Sequence, residues 1–269
     1  MLYKEISLYT EENPTDAKLI IYIQNYSKDM LVQKRPMVIL CPGGGYNHIS
    51  DREAESVALQ FMAMGCHAAI LRYSVYPAKY PAQITELAYS MKIIRENASE
   101  WHIDEDKIVV QGSSAGGHLA MCLGVFWMCG WLYKSVGTHS AYNIKPNGIL
   151  LSYPVITTGE FAHKGSFELL VGDDKELLSK LSLENQVNEH TPSTFIWHTF
   201  TDESVPVENS LLMVSALRRQ NIPTQFHLYP QGGHGLALAS PLTASRDGSH
   251  MQKECESWID LAHTWILGL

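Results

Sequence analysis

The sequence predicts an α/β fold, with a mostly parallel central sheet and helices on both of its faces. Three observations carry the prediction. Short apolar runs alternate with amphipathic stretches along most of the 269 residues, the order that βαβ units produce. Runs such as Met37-Val38-Ile39-Leu40-Cys41 lack the polar alternation of a half-exposed strand, as strands covered on both faces do. Glycines follow that run after a single proline, and in open sheets of this kind ligands bind beyond the C-terminal strand ends. With 45% hydrophobic and 18% charged residues the chain can bury a sizeable core, and one domain over residues 1–269 accommodates it.

Lys4 to Tyr9 and Lys18 to Gln24 read as an opening hairpin, joined by the turn-rich Glu11-Glu12-Asn13-Pro14-Thr15-Asp16. After Cys41 a helical stretch runs from about Arg52 to Met64 and stops at Gly65. The unit then repeats as strand Ala68 to Leu71, helix Ala82 to Trp101, strand Lys107 to Gln111 and helix Ala115 to Met128. Strands at Gly148 to Ser152, Thr194 to Thr199 and Thr224 to Tyr229 follow, with helices at about Val207 to Gln220 and His250 to Leu267. Cys129 to Asn147 and Thr157 to Pro192 fit the alternation poorly; the second is long enough for short helices and is expected to cover or line a site.

Composition removes several classes of function. Lys and Arg number 20 against 28 Asp and Glu, a net charge of −8 with no basic run, so nucleic acid is not the expected partner. The start lacks the apolar core of a secretory signal, and no apolar stretch approaches the roughly 18–20 residues that span a bilayer. Five cysteines are scattered without a C-x-x-C pair, which predicts reduced, packed thiols and a cytoplasmic location.

Gly112-Ser113-Ser114-Ala115-Gly116-Gly117 contains G-x-S-x-G centred on Ser114, between a predicted strand and a predicted helix. A nucleophile elbow needs that context and small neighbours, because its turn is sharp and strained. The competing reading is an N-cap serine, which suits Ser113 better. A serine hydroxyl needs a base to take its proton. Of the twelve histidines, His234 in Gly232-Gly233-His234-Gly235 stands in a glycine-bounded loop just after a predicted strand. His118, His198 and His263 lie inside predicted helices or strands and are poorer candidates. An acid that orients the imidazole should follow the strand between elbow and histidine, which selects Asp202, with Glu203, Asp173 and Asp174 as rivals.

Cys41-Pro42-Gly43-Gly44-Gly45-Tyr46 spends three consecutive glycines after a strand. Backbone amides that hold a developing oxyanion require such close approach; the expected donors are the amides of Gly44, Gly45 and Ala115. A phosphate loop is disfavoured, since no G-x-G-x-x-G or Walker pattern is present. No metal-ligand spacing is present either, and the chemistry requires no cofactor.

CPGGGY, GSSAGG, TDESVP and GGHG, in that order, resemble the α/β-hydrolase superfamily from about Pro36 to Leu269. Within it they are similar to the esterase/lipase branch related to hormone-sensitive lipase and to small carbohydrate acetylesterases. The resemblance implies an α/β-hydrolase fold with small cap insertions, a Ser114, His234 and Asp202 triad, and a serine carboxylesterase acting through an acyl-enzyme. Where hormone-sensitive lipases usually carry His before the glycines, this chain has Pro42, which favours the acetylesterase-like subgroup. No large lipase lid is present, so the implied partner is a small-molecule ester with a short acyl group, such as an acetylated sugar or xylo-oligosaccharide. Tyr46, His48, Arg72 and Tyr73 are candidates to line its alcohol side. A serine peptidase of the prolyl-oligopeptidase type and a non-catalytic hydrolase-fold binding module are the alternatives. Homo-oligomerisation follows family habit, and nothing in the sequence decides it.

Overall fold

The computed structural model of the protein describes residues 1–10 and 14–269. Eight strands form one sheet: β1 (Leu2–Ser7), β2 (Lys18–Ile23), β3 (Arg35–Cys41), β4 (His67–Arg72), β5 (Ile103–Ser113), β6 (Gly148–Ser152), β7 (Ser193–Thr199) and β8 (Thr224–Tyr229). Their spatial order is β1-β2-β4-β3-β5-β6-β7-β8. The β1/β2 and β2/β4 pairs are antiparallel and the other five are parallel. The predicted opening hairpin is therefore present; of its turn, Glu11, Glu12 and Asn13 lie outside the described residues.

The helices are α1 (Glu55–Ala63), α2 (Ala82–Glu96), α3 (Ala115–Phe126), α4 (Gly130–Ser135), α5 (Lys164–Val171), α6 (Lys175–Lys180), α7 (Glu208–Arg219) and α8 (Trp258–Leu267). Side chains of α1 and α8 pack on one face of the sheet and those of α2, α3 and α7 on the other. β3 shows why its run is continuous: Met37, Ile39 and Cys41 enter one core while Val38 and Leu40 enter the other, and none is solvent-exposed. Each such aliphatic side chain contributes about 1.5–3 kcal/mol of burial.

Three expected helices are shorter than their patterns. The predicted Ala82–Trp101 helix ends at Glu96, where Asn97 turns its side-chain amide onto the Ile93 carbonyl at 2.7 Å. The stretch from Arg52 divides into a 3-10 turn, Asp51–Glu53, and α1. The helix expected from His250 begins at Trp258, after a 3-10 turn at Lys253–Ser257.

The parallel register brings the strand ends that matter to one edge. Cys41 pairs with Gly112, Ser113 with Ser152, Ser152 with Trp197, and Thr199 with Tyr229. The loops after β3, β5, β7 and β8 thus emerge from one edge, and Gly44, Gly45, Ser114, Asp202 and His234 lie on them.

Candidate active site

Ser114 joins β5 to α3 with φ 54° and ψ −121°, a left-handed conformation that costs a residue with a Cβ roughly 1–3 kcal/mol. Its neighbours hold it there. The Ser114 amide donates to the Ser152 carbonyl at 3.0 Å, and its own carbonyl accepts from Gly117, Val155 and His118 at 2.9, 3.0 and 3.2 Å. A Cβ on Gly116 would lie 2.0 Å from the Cys41 carbonyl oxygen, so the elbow packs against β3 only with glycine there. Ser114 occupies the N-cap position of α3, yet its side chain makes no capping bond. Its Oγ instead lies 2.7 Å from His234 Nε2. Ser113, the expected cap, accepts a bond from Gln111 Nε2 within the sheet.

His234 follows β8 in a loop tied to β7, where Thr199 and Thr201 hydroxyls both donate to the Gly232 carbonyl. Its Nδ1 lies 2.7 Å from Asp202 Oδ2. Because a carboxylate only accepts, Nδ1 carries the proton, and Nε2 presents a lone pair to the Ser114 hydroxyl. The ring packs edge-on against Tyr153, centroids 5.1 Å apart.

Asp202 is buried, with four donors on two oxygens. Oδ1 accepts from the Ser204 and Val205 amides, each at 3.0 Å. Oδ2 accepts from His234 and, at 3.3 Å, from His198 Nε2. Burial alone would raise its pKa, but the hydrogen bonds from His198 and His234, the His234 charge and the Val205 amide outweigh burial and hold the carboxyl well below the usual carboxylate range. His198 is fully buried; Nε2 also donates to the Val205 carbonyl at 3.0 Å, and Nδ1 meets Ser210 Oγ at 2.8 Å. Its place inside β7 made it a poor candidate for the base, and the structure puts it behind the acid instead. The rivals separate: Glu203 and Asp173 are exposed, and Asp174 caps α6 through the Leu177 amide.

The glycine loop after β3 is fixed through its carbonyls. Pro42 O accepts from the Tyr73 hydroxyl at 2.7 Å, Gly43 O from the Ser50 amide, and Gly44 O from the Asn47 and His48 amides. Gly44 has φ +127°, and a Cβ on it would fall 2.0 Å from the His48 carbonyl oxygen. Among the described residues no protein acceptor takes the N–H of Gly44, Gly45 or Ala115. Gly44, Gly45, Ser114 and His234 line one cleft of about 350 Å³.

Three expected contacts need correction. Tyr46 and Tyr73 are buried, 2% and 3% exposed, and do not line the cleft. Tyr46 donates to His118 Nδ1 at 2.9 Å, while His118 Nε2 donates to the Leu181 carbonyl at 3.0 Å. Burial drives the His118 pKa to about 4 against the pull of that carbonyl, so the ring stays neutral and structural. Arg72 points to the surface, paired with Asp51 at 2.6 Å. His48 does line the cleft. The sequence reading missed His163, which reaches the cleft from the 157–192 segment and caps α5 through the Ser166 amide. Burial, then the nearby His234, lowers its pKa. Among the described residues no group of three or more His, Cys, Asp or Glu side chains could hold a metal ion.

The BD-FAE family model matches residues 21–217. Endo-1,4-beta-xylanase B of Butyrivibrio fibrisolvens is 38% identical over 215 residues, covering 77% of this chain and 33% of that protein. The acetylxylan esterase of Xylanibacter ruminicola is 28% identical over 211 residues, covering 76% of this chain and 41% of that protein. This chain thus spans less than half the length of these curated relatives. The solved structure of an acetyl ester-xyloside bifunctional hydrolase from Caldicellulosiruptor lactoaceticus superposes with a TM-score of 0.82 at 37% identity, covering 97% of this chain and 91% of that one. With its sheet order, its elbow and a family match over most of its length, the chain is an α/β-hydrolase of the esterase/lipase branch and belongs to the BD-FAE family.

Proposed function

We propose that the protein is a serine carboxylesterase that hydrolyses short-chain, acetyl-type esters of sugars or xylo-oligosaccharides. The observation that carries this reading is the unbroken relay from Ser114 Oγ through His234 to Asp202, with 2.7 Å at both links. Ser114 attacks the ester carbonyl as His234 Nε2 takes its proton, and Asp202 stabilises the imidazolium. The carbonyl oxygen, now negative, accepts from the Gly44, Gly45 and Ala115 amides. His234 then protonates the departing alcohol oxygen as the ester C–O bond breaks, leaving acyl-Ser114. In the second half His234 deprotonates a water that attacks the acyl carbon, and it then returns that proton to Ser114 Oγ as the acyl C–Oγ bond breaks, which frees the carboxylic acid and restores the hydroxyl.

The cleft supports a small acyl group and a polar alcohol. His48, Ser50, Arg52, Glu53, His163 and Ser204 surround the relay, and among the described residues no aliphatic or aromatic hydrocarbon side chain lines it. The acetyl-ester specificity in the names of the Xylanibacter and Caldicellulosiruptor relatives agrees. Residues 157–192, with α5 and α6, act in this reading as a small cap that contributes His163 within a single domain. Five unpaired cysteines, four of them buried, are consistent with a cytoplasmic setting.

The test compares purified wild type with Ser114→Ala on p-nitrophenyl acetate and octanoate, with circular dichroism on both. Wild type turns over acetate, prefers it to octanoate by about 10-fold or more in kcat/KM, and Ser114→Ala loses about 10⁴-fold or more. Equal rates for the two proteins would favour the binding-module reading instead.

A further inference from the structure

We infer that Glu53 is a positioning residue that locks the oxyanion loop to the histidine loop; the inference rests on the esterase reading above. Glu53 closes the Asp51–Glu53 turn and is only 3% exposed. Its Oε2 accepts from the Gly43 amide at 2.8 Å, and its Oε1 accepts from the Tyr153 hydroxyl at 2.7 Å. The Tyr153 oxygen in turn accepts from the Ala237 amide at 2.9 Å, three residues beyond His234. One carboxylate therefore holds the residue before Gly44 and, through a phenol, the backbone just after the base.

The geometry places this carboxylate under the nucleophile. A Cβ built on Gly43 would lie 2.7 Å from Glu53 Oε2 and 3.0 Å from Ser114 Cβ. The Tyr153 ring that Glu53 anchors is the one lying edge-on against His234. Both donors to Glu53 are neutral, while the neighbouring Arg52 turns its Nε to the Thr243 carbonyl at 2.6 Å. A carboxylate takes both donors at once, whereas a glutamine amide has one accepting oxygen and would force the Tyr153 hydroxyl, whose oxygen already accepts from Ala237, to give up its donor role. The link thus fixes the spacing between the oxyanion donors and the imidazole, on which proximity and preorganisation depend.

The experiment measures kcat and KM on p-nitrophenyl acetate, affinity for phenylboronic acid, and thermal unfolding for wild type, Ser114→Ala, Glu53→Gln, Tyr153→Phe and the double variant Glu53→Gln/Tyr153→Phe. Phenylboronic acid adds to an active serine as a tetrahedral anion and so reports on the oxyanion pocket. Glu53→Gln should lower kcat by about 10²-fold with KM changed less than about threefold, and weaken the boronate to a similar degree. Tyr153→Phe should show the same kcat-selective loss, and the two losses should be less than additive because either change breaks one chain of bonds. A folded Glu53→Gln within about threefold of wild-type kcat, or strictly additive losses, would overturn the inference. Should Glu53→Gln fail to fold, Tyr153→Phe decides alone, and wild-type kcat in that variant overturns it. Full activity in Ser114→Ala would instead sink the esterase reading, whatever Glu53 does.

Discussion

The two ends of the relay are built on opposite principles. At the acid end, each Asp202 oxygen has two donors, and His198 behind it has a partner on each nitrogen. At the nucleophile end, the amides of Gly44, Gly45 and Ala115 have no protein acceptor among the described residues, and Ser114 is held in a strained conformation. A saturated network fixes one charge in one place. An unsaturated one reserves its donors for a charge that arrives only during reaction. The difference teaches where the molecule stores order and where it stores capacity.

The largest break in this comparison comes from Asp202→Asn, which removes the fixed charge and offers His234 an amide that can favour the wrong tautomer. A loss of about 10⁴-fold in kcat is expected, with the fold retained by circular dichroism. Stability should respond to pH with a defined sign. The folded pKa lies below that of the unfolded chain, so the ionised carboxylate contributes fully above about pH 4 and progressively less as pH falls from there toward the folded value. The gap in Tm between wild type and Asp202→Asn should therefore hold above about pH 4 and narrow as pH falls below it. A gap that widens on acidification would mean that Asp202 is not the stabilised carboxylate.

Gly44→Ala probes the unsaturated end. Its Cβ meets the His48 carbonyl oxygen at 2.0 Å in a φ +127° backbone, so the loop must shift and carry its amides away from the oxyanion. A fall in kcat of about 10²–10³-fold is expected. Steady-state kinetics showing a KM effect alone would remove Gly44 from the oxyanion role. The smallest effect belongs to His198→Asn, which shortens the side chain and withdraws one donor of four from Asp202. About a 10-fold loss in kcat is expected, together with a shift of the acidic limb of the pH–rate profile. An unchanged pH profile would make His198 a packing residue only.

Much of this was legible from residues whose environment is local. The continuous runs of β3 and β5, the small residues around Ser114 and the glycines around His234 each state a requirement within a few positions. What escaped depends on distant partners. His198 reads as an interior strand residue until the turn after β7 folds Asp202 back upon it. Glu53 reads as part of a helix start, and nothing nearby in sequence reveals that Tyr153, 100 residues away, donates to it. Tyr46 and Tyr73 follow strand ends and so read as candidates for the cleft, whereas His118 and the Pro42 carbonyl draw their hydroxyls inward. The early end of α2 is equally a tertiary matter, since the apolar spacing continues to Ala98 and Trp101, which are buried beyond the helix.

The backbone at position 114 carries a consequence for how such a molecule persists. At φ 54° and ψ −121° the chain itself would favour glycine over serine, so the serine stands against the local preference for stability. A scaffold used only for binding would gain by giving it up. A hydroxyl there, aligned on a histidine, concedes stability, and on the esterase reading it is the concession that turnover requires.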